Sequence, residues 1–315
     1  MSANSVNHDN FKSTIAITSF NRFKYLKSLM NSLSDISRDK FYFIVVDNCS
    51  EESGLQEYIL EKEACGEIHK AFVRSPKDRN WVNDEYIAKN IIIENSPTDT
   101  ILFLQDDLQF VGNEESLENI VSDFKDLPGM CIELNGIRRV SVHNKFLSKR
   151  EIAGSSGFRY HAPDDNHFQT MGLFKKQVFD MFGLYPVDWP QTQEYWGRSE
   201  DVYDAMIKRK FPNAQLNITA HVPLFLPIWN DIRGGYAFIR GNKRYGQYIE
   251  PPHESTLYYQ RIDKQEYVAL QSTPGPLSFV DIARPLNWNY TKDEKGDQKK
   301  YSQKEIMNEK LGQDF

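Results

Sequence analysis

The chain has 315 residues, of which 40% are hydrophobic, 13% aromatic and 26% charged, the balance of a globular protein with a sizeable core. At about 100–200 residues per domain, this is one large domain or two closely packed halves, and disorder over most of the length is excluded. With 38 Lys and Arg against 44 Asp and Glu, the formal net charge of −6 counts against a dedicated nucleic-acid binder.

Cys49, Cys65 and Cys131 are odd in number and form no CxxC pair, so they are expected to be reduced thiols, with no structural zinc. The opening MSANSVNHDNFKS has no apolar core, and no secretory signal is expected there. Apolar runs such as 41–46 and 222–229 fall short of the roughly 20 residues that span a bilayer. A cytoplasmic location is expected, with no transmembrane segment and peripheral membrane contact left open.

Residues 1–12 are polar and are expected to be disordered. Residues 14–20 (TIAITSF) then read as a buried strand, and 23–33 place Leu26, Leu29, Met30 and Leu33 at helical spacing. A second strand is expected over 41–46 (FYFIVV), a second helix over 55–63, a third strand over 69–74 and a third helix over 84–94. The strand 100–104 (TILFL) runs into Gln105-Asp106-Asp107. Alternating strands and helices predict an α/β fold with a parallel sheet, and right-handed crossovers bring the strand-end loops to one edge. Ligands bind outside that edge, where Asp47, Asp106 and Asp107 would project. Farther on, residues 150–172 are rich in Gly, Ser, His and Asp and read as a loop region lining a site. Residues 200–210 read as a helix with Val202, Ala205, Met206 and Phe211 on one face. From Pro274 the chain turns polar and lysine-rich, the pattern of a peripheral extension.

No GxGxxG follows the first strand and no GxxxxGK[ST] occurs, so dinucleotide dehydrogenases and P-loop NTPases are disfavoured. Two carboxylates at the end of a strand are costly together without a cation. A hard divalent ion bridged to a diphosphate meets that need, and a solvated acidic turn is the plainer alternative.

Ile15–Arg22, the Val-Val-Asp-Asn-Cys-Ser run at 45–50, Ala88-Lys89-Asn90 and Phe103-Leu104-Gln105-Asp106-Asp107 together resemble the nucleotide-sugar half of the glycosyltransferase A fold, as in its large family two. The resemblance implies a mixed α/β sheet sandwiched by helices, a nucleotide-sugar donor and Mn²⁺ or Mg²⁺. It implies donor contacts from Thr18, Ser19, Asn21, Arg22, Asp47, Asn48, Arg79, Asn90, Gln105 and Asp106, with Asp107 as metal ligand. The sequence departs from the family pattern at Gln105, at Lys89 and in the glycine missing from 80–85. Trp196-Gly197-Arg198-Ser199-Glu200-Asp201 is similar to the acceptor motif of beta-1,4-galactosyltransferases and to the Glu-Asp pair of family two. That likeness makes Asp201 the general base, with Glu200 beside it at a helix start. His221 or His253 would be a third metal ligand. Trp189, Tyr195 and Trp196 would stack on an acceptor sugar or pack in the core. Arg233, Arg240, Lys243 and Arg244 would meet the departing diphosphate or form a solvated loop.

The resulting expectation is a metal-dependent, inverting glycosyltransferase of hexosyltransferase type. It would use a nucleotide diphosphate donor, UDP by preference, and a hydroxyl of a glycan, lipid-linked saccharide or glycoprotein, as in polysaccharide biosynthesis. A nucleotidyltransferase and a non-catalytic carbohydrate-binding protein on the same fold are the alternatives. The expected organisation is a nucleotide-sugar half over 13–110, an acceptor half over 111–240 and a C-terminal extension over 241–315.

Overall fold

The first strand, β1 (Ser13–Ser19), is buried along all seven residues, as a strand covered on both faces must be. The computed structural model describes residues 11–80, 83–134, 150–162, 171–187, 199–227, 257, 259–274, 277, 282, 290–292 and 298–300, with only the backbone at 199–202, 227, 290–292 and 298–300. After β1 come α1 (Phe23–Ser32), β2 (Phe41–Asp47), α2 (Leu55–Ala64), β3 (Lys70–Val73), α3 (Asp84–Asn95), β4 (Thr100–Gln105) and β5 (Leu108–Phe110). The chain continues through α4 (Glu114–Phe124), β6 (Cys131–Glu133), β7 (Arg150–Ala153), β8 (Arg159–Ala162), β9 (Gly172–Lys175) and α5 (Gln177–Phe182). It closes with α6 (Ser199–Lys210), β10 (Asn217–Ala220), β11 (Phe225–Pro227), α7 (Lys264–Leu270), β12 (Tyr290–Lys292) and β13 (Gln298–Lys300).

Nine strands form one sheet in the order β3-β2-β1-β4-β9-β6-β10-β8-β7. The first four pair in parallel, as their helical crossovers require. Antiparallel β9 lies between β4 and β6, and β10 runs parallel to β6, so the sheet is mixed. Gly172 opens β9 at φ +126, and a β-carbon there would stand 2.3 Å from the Ile132 carbonyl oxygen. Only glycine admits that close strand contact.

Alternate residues of each strand feed two cores. Ile15, Ile17, Phe43, Val45, Leu102 and Leu104 pack against α1, α2 and α4. Ala16, Ile44, Val46, Ile101 and Phe103 pack against α3, α5 and α6 on the other face. Each buried aliphatic or aromatic side chain contributes about 1.5–3 kcal/mol relative to exposure. Tyr259, Ile262 and Tyr267, late in the chain, join the first of these cores. Gln109 fixes that return by donating Nε2–H to the Tyr259 carbonyl at 2.9 Å and accepting the Tyr259 N–H at 3.1 Å.

Three local expectations are corrected. Within 150–172, residues expected to form a site loop form the antiparallel hairpin β7–β8 at the sheet edge. The Gly and Ser residues make its turn, where Gly154 N–H donates to the Phe158 carbonyl at 2.8 Å. Helix α6 buries Tyr203 and Ile207, while Met206 is 43% and Phe211 37% exposed. Tyr203 wins that face because its ring lies 4.9 Å from Tyr185 and its hydroxyl donates to the Gly183 carbonyl at 2.7 Å. Finally, the polar leader stops short of Phe11, whose ring sits edge-on to Tyr42 and His69. No helix among the described residues is long and apolar enough to cross a membrane.

Candidate active site

The carboxyl ends of β1, β2 and β4 lie side by side in the sheet and place three turns together. Beyond β1 the chain reverses at Asn21 (φ +50), and beyond β2 at Cys49 (φ +67). These two are the non-glycine residues with left-handed backbone among the described residues. Such strain persists only where surrounding contacts hold it. Here Asn21 Oδ1 accepts the N–H groups of Glu51 at 2.8 Å and Glu52 at 3.1 Å, while Asn21 N–H donates to Ser50 Oγ at 2.9 Å. Asn48 N–H donates to the Ser19 carbonyl at 2.8 Å, and Phe23 N–H donates to Glu52 Oε2 at 2.8 Å. Glu52 thus caps the otherwise uncapped start of α1 from the neighbouring loop.

Asp47 closes the second turn. It is fully buried, its Oδ2 accepts the Gln56 amide at 2.8 Å, and the Ser50 N–H lies 3.3 and 3.2 Å from its two oxygens. Burial pushes its pKa up, against those hydrogen bonds and the Arg74 charge. Arg74 donates to Asn48 Oδ1 and, at 3.0 Å, to Asp84 Oδ1, which ties the loop to the start of α3. Arg79 lies over the Phe20 ring, 4.5 Å from its centroid. Thr18, 7% exposed, leans towards the Leu104 carbonyl.

The acid turn follows β4. Asp106 Oδ2 accepts from Ser19 Oγ at 2.9 Å and from Phe20 N–H at 3.1 Å, and its Oδ1 accepts from Arg22 Nη1 at 3.2 Å. The same Arg22 Nη1 donates to Asp107 Oδ2 at 2.7 Å. Arg22 thus supplies this turn with a countercharge from within the chain. Burial pushes Asp106 up to about 6 while Arg22 pulls it down. Asp107 is raised for the same reason, and burial opposes the charge of Arg22 less than the two carboxylates support it.

Glu85, which the sequence reading missed, stands behind this turn. Its Oε1 accepts from Lys89 Nζ at 2.7 Å and from Gln105 Nε2 at 3.2 Å. Its only sequence signal was the i, i+4 spacing to Lys89. Lys89 is 1% exposed, with Nζ within 5.6 Å of the Tyr86 ring centroid and 6.0 Å of those of Phe103 and Tyr185.

Two expected site residues are engaged elsewhere. Asn90 gives both ends of its amide to the Tyr185 backbone, at 2.8 and 2.9 Å. His221 follows β10, a strand three positions along the sheet from β4, about 14 Å away at the usual strand spacing. Both of its ring nitrogens are engaged, by Arg159 Nη2 at 2.7 Å and His161 Nε2 at 2.8 Å, so the structure does not bring it to Asp107. Trp189, Tyr195, Trp196, Arg233, Arg240, Lys243, Arg244 and His253 lie outside the described residues. For Glu200 and Asp201 only the backbone is described, in the first turn of α6.

A divalent ion fits this turn through Asp107. Its carboxylate is the more open of the two, 12% exposed against 3% for Asp106, and offers a hard oxygen. No three Asp, Glu, His or Cys side chains converge on a metal position among the described residues.

The strand ends of this mixed α/β sheet gather buried acids and a paired arginine at one edge. Residues 14–183 match the model of glycosyl transferase family 2, more than half of the chain. The chain belongs to that family, and its mixed α/β sheet between layers of helices is the expected fold class. Among solved structures it is similar to TarS from S. aureus (14% identity, TM-score 0.48, covering 70% of this chain and 37% of that one). It is also similar to the mannosyltransferase PcManGT from Pyrobaculum calidifontis in complex with GDP-Man and Mn²⁺ (14% identity, TM-score 0.45, 76% and 66% covered). Cytoplasmic polyadenylation element-binding protein 1 of Caenorhabditis briggsae matches at 22% identity over 262 residues, 77% of this chain. The chain spans 43% of the length of that relative, and a likeness of that degree assigns no activity.

Proposed function

We propose that the chain transfers a hexosyl group from a uridine diphosphate sugar to an acceptor hydroxyl of a glycan or glycoconjugate, with inversion at the anomeric carbon. The observation that carries this reading is the joining of the β1 turn, the Asp47 loop and the acid turn into one hydrogen-bonded floor at the sheet edge. Such a floor offers acceptors for a base N–H and ribose hydroxyls at one end and cation-binding oxygens at the other. Arg79, stacked on Phe20, supports a planar base near Asp47.

Mn²⁺ or Mg²⁺ bound at Asp107 would supply charge neutralisation for the departing diphosphate. Asp106 holds the β1 turn in place, and Arg22 offers a guanidinium fork to phosphate oxygens. Asp201, in the first turn of α6, takes the acceptor proton as the hydroxyl oxygen bonds to the anomeric carbon and the bond to the diphosphate breaks. One displacement of this kind inverts configuration and needs no protein nucleophile.

The test is turnover of a panel of nucleotide sugars with and without Mn²⁺, with product stereochemistry read by NMR. Inverted product from uridine donors, lost in Asp201→Asn with donor binding kept, is the expected result. Retained configuration overturns the mechanism, and preference for a purine donor overturns the uridine assignment.

A further inference from the structure

We propose that Arg22 is a resident counter-ion that occupies the acid turn in the donor-free protein, excluding a divalent ion until a nucleotide diphosphate draws the guanidinium away. The inference rests on the metal-assisted reading above and adds that metal and donor load together.

The geometry carries it. One guanidinium nitrogen of Arg22 bridges the two acids, 2.7 Å from Asp107 Oδ2 and 3.2 Å from Asp106 Oδ1. The other oxygen of Asp106 is already held by Ser19 and Phe20. One oxygen of each acid, Asp106 Oδ1 and Asp107 Oδ2, is thus held by Arg22, so a metal at this turn would have to sit beside the guanidinium on the Asp107 carboxylate. A divalent ion and a guanidinium on one carboxylate repel each other strongly. The left-handed turn at Asn21, pinned by the N–H groups of Glu51 and Glu52, sets the backbone from which Arg22 reaches back over the sheet edge.

Exchange is open to Arg22 and closed to Asp106. The Arg22 side chain is 35% exposed, so it can swing to solvent, whereas the Asp106 side chain is 3% exposed. A diphosphate is the partner best suited to take it, because paired phosphate oxygens match both arms of the fork, whereas the two acids engage a single guanidinium nitrogen. Its departure leaves Asp107 facing the same phosphates, which are themselves ligands for a hard cation. Diphosphate and metal then each favour the other, and the coupling is reciprocal.

The experiment measures Mn²⁺ binding to the full chain by calorimetry and electron paramagnetic resonance, with and without UDP, for wild type, Arg22→Ala and Arg22→Lys. Wild type should bind Mn²⁺ weakly alone and at least tenfold more tightly with UDP. Arg22→Ala should bind Mn²⁺ alone at least tenfold more tightly than wild type, with a smaller gain from UDP. Arg22→Lys, which keeps the charge but not the fork, should fall between them. Adding Asp107→Asn to Arg22→Ala should abolish the gain. If Arg22→Ala does not fold, Arg22→Gln removes the charge while keeping a polar, longer side chain at the position. An unchanged affinity for Mn²⁺ alone in the charge-removing variant, while wild type still takes Mn²⁺ with UDP, overturns the counter-ion role and leaves the metal reading standing. Absence of Mn²⁺ binding under every condition overturns both.

Discussion

Ser19 Oγ donates to Asp106 Oδ2 at 2.9 Å, and this one bond joins the end of β1 to the turn after β4. The two acids of that turn therefore have different duties. Asp106→Ala strips the acceptor from Ser19 and Phe20 in a residue only 2% exposed, and should lower stability by about 1–3 kcal/mol. Asp107→Ala removes a carboxylate whose side-chain partner Arg22 keeps its bond to Asp106 and its access to solvent, and should cost less than Asp106→Ala while abolishing Mn²⁺-dependent transfer. Urea denaturation of both variants separates the two, and equal losses would show that Asp107 also holds the fold.

Asp47 lies beneath Gln56, whose amide donates to it at 2.8 Å. A base N–H that takes the place of that amide at Oδ2 binds only the fraction of molecules in which Gln56 has moved aside, and its apparent affinity falls accordingly. Gln56→Ala should raise affinity for uridine nucleotides severalfold, whereas Asp47→Ala should weaken it by about tenfold, about 1.4 kcal/mol. Calorimetry with UDP reads both. Unchanged binding in the two variants places the base elsewhere on the floor.

The sheet edge was legible in the sequence because it depends on strand period and punctuation. A run such as TILFLQDD buries its apolar part and leaves its acids at the end whatever the partners are. The pairing inside the site was not legible. Arg22 meets Asp106 and Asp107 across more than 80 residues of chain, and only the sheet order brings β1 beside β4. Asn90 matched a family motif by position, yet its helix turns the amide to Tyr185. The residues 150–172 misled for a local reason, since a glycine- and serine-rich stretch serves a hairpin turn as readily as a ligand loop.

His221 gives the molecule an acid-sensitive point away from the donor floor. Arg159 Nη2 donates to its Nε2, so its own proton sits on Nδ1 and goes to His161 Nε2. Burial first, and then the Arg159 charge, hold its pKa below the ordinary value, with Glu151 opposing. The unfolded chain therefore takes up the proton first as pH falls. The stability His221 contributes is complete above about pH 6.5 and declines below it, by up to about 1.4 kcal/mol per pH unit until the folded pKa is reached. His221→Gln should flatten the fall in melting temperature between about pH 7 and pH 5. Parallel curves for variant and wild type would remove His221 as the cause.

Lys89 stands where the family resemblance places an arginine, and its surroundings explain what a shorter cation does there. Its ammonium is enclosed by Tyr86, Phe103 and Tyr185, and its side-chain partner Glu85 keeps 38% of its side chain in solvent. Lys89→Met retains the apolar stem and leaves Glu85 its bond from Gln105 and its solvent-facing side. Stability should change by less than about 1 kcal/mol, unlike the loss expected when a buried charge is stranded. The donor site should respond more strongly. Glu85 anchors Gln105 and adds repulsion at Asp107, so an uncompensated Glu85 places extra negative charge where a diphosphate must sit. Affinity for UDP without metal should fall severalfold, and the loss should shrink as salt rises. Adding Glu85→Gln should restore much of it, because the harm comes from the stranded carboxylate and not from the missing ammonium. A double variant as weak as Lys89→Met alone would instead make Lys89 a direct contributor to donor binding.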